Sequence, residues 1–212
     1  MDDPLEVQEY RRMDHSHVNQ QFVVDLIAGG AVGPRVVDLG CGTAEIPVLL
    51  CQKLIEVEVL GVDSSVEMLE AARVEIELGG VVGRIYLEHA DCKELAGFEP
   101  QTANTVISNT VLHHIAQPES LLTQAVRILA PGGRLFIRDL VRPATESDVE
   151  RLVTMHADGE SEFAQQLLRQ SLHAALTLEE MNEMMQDLGI PPKSIQMTSD
   201  RHWTLDWKRG EV

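Results

Sequence analysis

Arg35-Val36-Val37-Asp38-Leu39-Gly40-Cys41-Gly42-Thr43-Ala44-Glu45-Ile46-Pro47 is the stretch that decides the fold. A short apolar run stops at an acid and turns through Gly-x-Gly into a helix start. A run of this length reads as a strand buried on both faces of a parallel sheet. Glycines at 40 and 42 let the backbone turn tightly and approach a ligand with no Cβ in the way. That much is common to nucleotide-binding α/β folds. The dinucleotide fingerprint Gly-x-Gly-x-x-Gly needs a third glycine for close helix–strand packing beside a pyrophosphate. Glu45 occupies that position. A carboxylate there repels a pyrophosphate, which disfavours an NAD-dependent oxidoreductase; with Asp38 it suits a cationic ligand.

Working outward, the next strand-like run, Val57 to Val62, ends at Asp63. An acid at the end of a second strand is placed to accept hydrogen bonds from ribose hydroxyls. Ser64-Ser65-Val66-Glu67 then opens a helix with a capping residue and an acid three positions on, and Val66, Leu69, Ala72 and Ile76 recur at helical spacing. A third run, Arg84 to Ala90, again meets an acid, Asp91, followed by Cys92. A fourth runs from Asn104 through Asn109 to the pair His113-His114. Ala125 to Ile137 reads as a helix, a Pro131-Gly132-Gly133 turn and a fifth strand. Strand alternating with helix over residues 34–142 predicts an α/β, doubly wound, mostly parallel sheet.

These five signatures, in this order over residues 35–141, resemble the class I S-adenosylmethionine (SAM)-dependent methyltransferases. The resemblance implies a Rossmann-like sheet of seven strands with the last inserted antiparallel. It also implies SAM as cofactor and S-adenosylhomocysteine as product, in a reaction that needs no metal. By the same resemblance Asp38, Gly40, Cys41 and Gly42 surround the methionine part of the cofactor. Asp63 takes the ribose, with Ser64 and Met68 near the adenosine. Asp91 and Cys92 hold the adenine, and Asn109 lies beside the amino-acid moiety. Asp38 has a second reading, as an acid capping the loop amides.

The 212 residues suit one domain with a sizeable core. The expected parts are an N-terminal helical cover (1–33), the cofactor-binding core (34–142), a helical insertion (143–176), and a last helix with two strands (177–212). With no signal-peptide pattern and no apolar run of membrane-spanning length, the expectation is a soluble, cytoplasmic protein without a membrane partner. Cys41, Cys51 and Cys92 are widely spaced and make neither a disulfide framework nor a zinc site. A net charge of −17, from 34 acids against 17 bases, disfavours nucleic acid as substrate, since phosphate binding needs clustered Lys and Arg. Residues 104–115 also lack the Asn-Pro-Pro-Tyr type of sequence that base-amino methyltransferases use. No cysteine follows Cys92, as an arsenic methyltransferase would want.

In-line methyl transfer needs alignment and sometimes a base. His113 and His114, just past strand four, are the candidate catalytic residues; core packing and helix capping are the other reading of the pair. Arg138 and Arg142 leave strand five at the same rim and are candidates for binding an acidic substrate group, against ion pairing with Asp139. Asp200-Arg201-His202 forms another dense polar group, bordering the pocket or turning a hairpin. Asp14, His15, His17 and Asn19 on the N-terminal helix are placed to close over the cofactor. Trp203, Leu205 and Trp207 alternate with polar residues and predict a half-exposed strand. Met181, Met184 and Met185 are expected to pack in the core. The acceptor is expected to be a small molecule, with a protein side chain, or SAM or nucleoside binding without catalysis, as alternatives. The oligomeric state is not legible.

Overall fold

A computed structural model describes residues 16–210. The chain alternates helix and strand as α1 (Ser16–Ala28), β1 (Arg35–Leu39), α2 (Glu45–Lys53), β2 (Glu58–Asp63), α3 (Val66–Leu78), β3 (Ile85–His89) and β4 (Ala103–Asn109). It continues through α4 (Pro118–Ile128), β5 (Leu129–Leu140), α5 (Glu146–Ala157), α6 (Glu162–Ala174), α7 (Leu178–Asp187), β6 (Ile195–Met197) and β7 (His202–Lys208). The seven strands form one sheet in the order β3-β2-β1-β4-β5-β7-β6. Only β7 opposes its neighbours, pairing antiparallel with β5 and β6. The strand order reverses between β1 and β4, so the crevice outside their carboxyl ends is where a ligand binds in this architecture.

The sheet is buried on both faces. Val37, Leu39, Val106, Leu135, Ile137, Trp203 and Leu205 pack with α4 and α7. Their strand neighbours Val36, Ile107 and Phe136 pack on the other side against α1, α2 and α3. Met181, Met184 and Met185 lie in the first of these cores, as expected. A third, smaller core joins Leu140 to Val149, Leu152, Val153, Leu172 and Ala175, so α5 and α6 pack mainly on each other at the end of β5.

Several local readings are corrected. Thr204 is buried, so β7 is not half-exposed: Arg138, donating to Thr204 Oγ1, and Thr198 on the hairpin cover the face that alternation assigns to solvent. The Pro131-Gly132-Gly133 segment is a bulge within β5 rather than a turn before it. Ala103 pairs with Leu129, and Thr105 pairs next with Arg134, with Gly132 at φ 72°. α3 is capped by Ser65, whose Oγ accepts from Met68 N at 3.3 Å, one residue later than the Ser64–Glu67 spacing suggests.

Candidate active site

The loop after β1 is tied to the end of β2. Gly40 N and Cys41 N both donate to Val62 O, at 2.8 and 3.0 Å. Asp63 Oδ2 accepts from Gly42 N at 2.8 Å and Oδ1 from Ser65 N at 2.9 Å. A Cβ on Gly40 would meet Val111 Cγ2 at 2.4 Å, so only glycine lets the loop pass this close to the β4 side of the crevice. Ala44, the next residue but one after Gly42, holds the left-handed conformation at φ 62°. Thr110, after β4, does so at φ 55°. Non-glycine residues rarely adopt this region, and such strain gathers at ligand sites. Glu45 opens α2 and accepts from the buried Asn19 Nδ2 at 2.7 Å, which joins α1 to the loop.

Asp38, Gly40, Cys41, Gly42, Asp63 and Cys92 gather at this crevice. The Asp38 carboxyl is 2% exposed and, among the described residues, has no hydrogen-bond partner. Burial, reinforced by Asp63, raises its pKa from the ordinary 3.8 to about 8. Burial likewise pushes the Cys92 thiol up to about 12 and the Cys41 thiol well above its usual range. Neither is an activated nucleophile. Met68 is buried under the loop, whereas Ser64 is exposed. Asp91 is half-exposed beyond β3, 2.7 Å from Lys93, whose hydrogen bond lowers its pKa. Asp38 accepts no loop amide, so its reading as a loop cap is not what the structure has; Asp63 does that instead.

On the other side of the crevice the ends of β4, β5 and β7, with α1, α6 and the β6–β7 hairpin, enclose a cavity of about 1080 Å³. Asn109, Thr110, His113, His114 and Arg138 line it. His113 Nδ1 lies 2.6 Å from Asp139 Oδ1, both side chains being at most 4% exposed. Asp139 also accepts from Leu112 N and Leu140 N, each at 2.6 Å. A carboxylate so held can only accept from the ring, which puts the His113 proton on Nδ1 and leaves Nε2 with its lone pair. The His114 ring lies against that of His113, centroids 4.0 Å apart and planes tilted by 41°. Surrounding protein, then His113, lowers the His114 pKa to about 4 even though an edge of the residue stays exposed. His114 is therefore neutral at physiological pH.

The two arginines part company. Arg138 reaches the cavity wall, but its charge is committed: Nη2 donates to Asp25 Oδ2 at 2.6 Å and Nε to Thr204 Oγ1 at 2.9 Å. Arg142 donates to Glu180 in the first turn of α7 and is not part of the cavity wall, which removes it as a substrate ligand. His17 and Asn19 line the cavity; Asp14 and His15 lie outside the described residues. The alternative reading, an ion pair of Asp139 with its neighbours, is replaced by its bond to His113, which sequence reading missed. The available signal was an acid one position before the end of β5, beside the parallel β4 that leads to the histidines.

A chain with this sheet, this loop and this cavity can be set beside known proteins. It is 28% identical over 186 residues to 27-O-demethylrifamycin SV methyltransferase of Amycolatopsis mediterranei (strain S699), a match covering 84% of this chain and 63% of that protein. The chain thus spans less than two thirds of that relative's length. Its fold superimposes on plantazolicin methyltransferase BpumL in complex with SAH with a TM-score of 0.74 at 15% identity, over 99% of this chain and 91% of that one. A SAM dependent methyltransferase from Aquifex aeolicus gives 0.70 at 15% identity, over 98% and 99%. The family described as Methyltransferase domain matches residues 32–191, from the start of β1 past the end of α7, and the chain belongs to that family.

Proposed function

We propose that this chain transfers the methyl group of SAM to a small-molecule acceptor held in the cavity, with His113 as general base. The observation that carries the reading is the buried, unpartnered Asp38 carboxyl beside a glycine loop organised by Asp63. The residues fit a cation joined to a ribose. A positive charge beside Asp38 favours its ionised form, and Asp63 keeps lone pairs for hydroxyl donors beyond its two amide bonds. A Cβ at Gly42 would face open space, so the loop leaves room for a ligand on that side.

When bound, SAM supplies a methyl group on sulfonium, already activated for in-line displacement. The chain then has three tasks. Asp38, Gly40, Cys41, Gly42, Asp63, Ser64, Met68, Asp91, Cys92 and Asn109 bind and orient the cofactor along the ends of β1 to β4. The cavity walls align the acceptor, where geometry alone contributes several kcal/mol of the rate. His113 Nε2 takes the proton released as the acceptor is methylated, while Asp139 holds the ring in the required tautomer. A cavity of about 1080 Å³ has room for a small acceptor, and the net charge of −17 argues against nucleic acid. Among the described residues no helix is long and apolar enough to cross a membrane.

Calorimetric titration with S-adenosylhomocysteine and with NAD tests the cofactor assignment. The product should bind and NAD should not; the reverse result overturns the proposal. Asp63→Ala should weaken product binding by about 1–3 kcal/mol, the cost of leaving buried donors unmatched.

A further inference from the structure

Most charged and polar groups around the cavity are already paired. Asp25 and Thr204 hold Arg138, and Arg134 holds Asp206 at 2.7 Å through both Nε and Nη2. In the β6–β7 hairpin, His156 Nε2 meets Asp200 Oδ2 at 2.7 Å and Ser199 Oγ meets His202 Nδ1 at 2.8 Å. Arg201 stands among these groups and lines the cavity, half-buried. Its backbone is used, the amide donating to Ser199 Oγ at 3.2 Å and the carbonyl accepting from Val141 N at 2.9 Å. Among the described residues its guanidinium has neither a hydrogen bond nor an ion pair. Removing such a group from water without an anion is costly. Burial accordingly lowers the Arg201 pKa, and Asp200 opposes this only in part.

His202 reports the field at this wall. Its pKa falls to about 4, first through burial, then through Arg201 and Arg138, with Asp139 and Asp200 acting the other way. Lys193 and Glu160 also line the cavity, both exposed. Among the described residues Arg201 is thus a cavity-lining guanidinium without a side-chain partner, on a protein whose overall charge repels anions.

We propose that the acceptor carries an acidic group, a carboxylate or a phosphate, that docks on the Arg201 guanidinium beside His202. The inference rests on reading the cavity as the acceptor site. A planar guanidinium grips either oxyanion through two parallel N–H donors. An acceptor anchored there has its opposite end free to reach toward His113 across the same cavity, so one contact fixes both affinity and the direction of approach.

The test uses the whole chain with ¹³C-labelled histidine, titrated with benzoate, phenyl phosphate and, as neutral control, benzyl alcohol. Either oxyanion should bind and move the His202 titration midpoint upward, because it neutralises the field of Arg201; the stronger response tells carboxylate from phosphate. Arg201→Gln should lower the affinity about tenfold or more, the loss expected for a charge-assisted contact. Arg201→Lys, which keeps the charge without the paired donors, should fall between the two, and benzyl alcohol should not distinguish the variants. Gln keeps the backbone bonds of residue 201, so the hairpin has no reason to unfold. Failure of both oxyanions to bind, equal affinity in wild type and Arg201→Gln, or a silent His202 overturns the inference. Calorimetry with S-adenosylhomocysteine on the same samples separates the two readings. Product binding without oxyanion binding removes the acid anchor alone, and the converse removes methyl transfer while the anion site stands.

Discussion

Along β1, β2 and β3 the groups that face the crevice belong to short continuous stretches: the loop from Asp38 to Ala44, Asp63 with Ser65, and Asp91 with Cys92. At the ends of β4, β5 and β7 they come from distant segments. His113 and Asp139 are 26 residues apart, Arg138 and Thr204 66, and Arg138 and Asp25 113. Backbone amides and glycines shape the first half, and side-chain pairs shape the second. The difference separates two duties. A fixed cofactor is met by a loop whose own backbone does the holding, whereas a particular acceptor is met by side chains that change without disturbing the strands beneath.

Four substitutions can break or sharpen that contrast. The largest effect is expected from Asp139→Asn. An amide no longer enforces the Nδ1–H tautomer of His113, so methyl transfer should fall about 10²–10⁴-fold with product affinity unchanged; an equal loss of both would merge the two halves. Arg138→Ala should lower stability by about 1–3 kcal/mol in chemical denaturation, because it leaves the buried Thr204 hydroxyl and the partly exposed Asp25 without their partner. A loss below about 1 kcal/mol would show that this pair does not hold α1.

Asp38 gives a pH signature confined to the cofactor half. Its folded pKa of about 8 lies above the ordinary 3.8, so the folded protein favours the neutral carboxyl. That contribution to stability is complete below about pH 4 and is lost as the pH rises through about 8. A cationic cofactor favours the ionised form, so its affinity should rise with pH by up to about tenfold per unit below pH 8. The Asp38→Asn variant should show a flat profile; a slope that survives this change places the titrating group elsewhere. The smallest effect is expected from Arg142→Ala. Its ion pair with Glu180 is more than a third exposed on both sides, so stability should change by at most about 1 kcal/mol and turnover not at all.

The contrast also explains what the sequence made legible. Strands β1 to β5 and the glycine loop are written in local patterns, apolar runs ending at an acid or a glycine, and each lies where those patterns point. The burial of Thr204 was not legible, because it depends on Arg138, 66 residues away, reaching across from β5. Nor was the partner of His113: one residue, Asp139, had to be chosen over Asp25 or Asp200, and only strand register decides that. Arg138 and Arg142 look equivalent in sequence, yet β5 carries the first to the cavity wall while the second turns away to the start of α7.

The grip on α1 has a kinetic consequence. Arg138 lies over the rings of Phe22 and Phe136, at 5.6 and 5.9 Å from their centroids, while donating to Asp25. Arg134 donates to Leu26 O at 2.6 Å and Gly30 O at 3.1 Å, holding the end of the same helix. Lifting α1 breaks these contacts together, at a cost of about 3 kcal/mol or more, which keeps the lifted state below about one molecule in a hundred. α1 is therefore a fixed wall of the cavity, while the β6–β7 hairpin is tied to α5 by the single contact of His156 with Asp200.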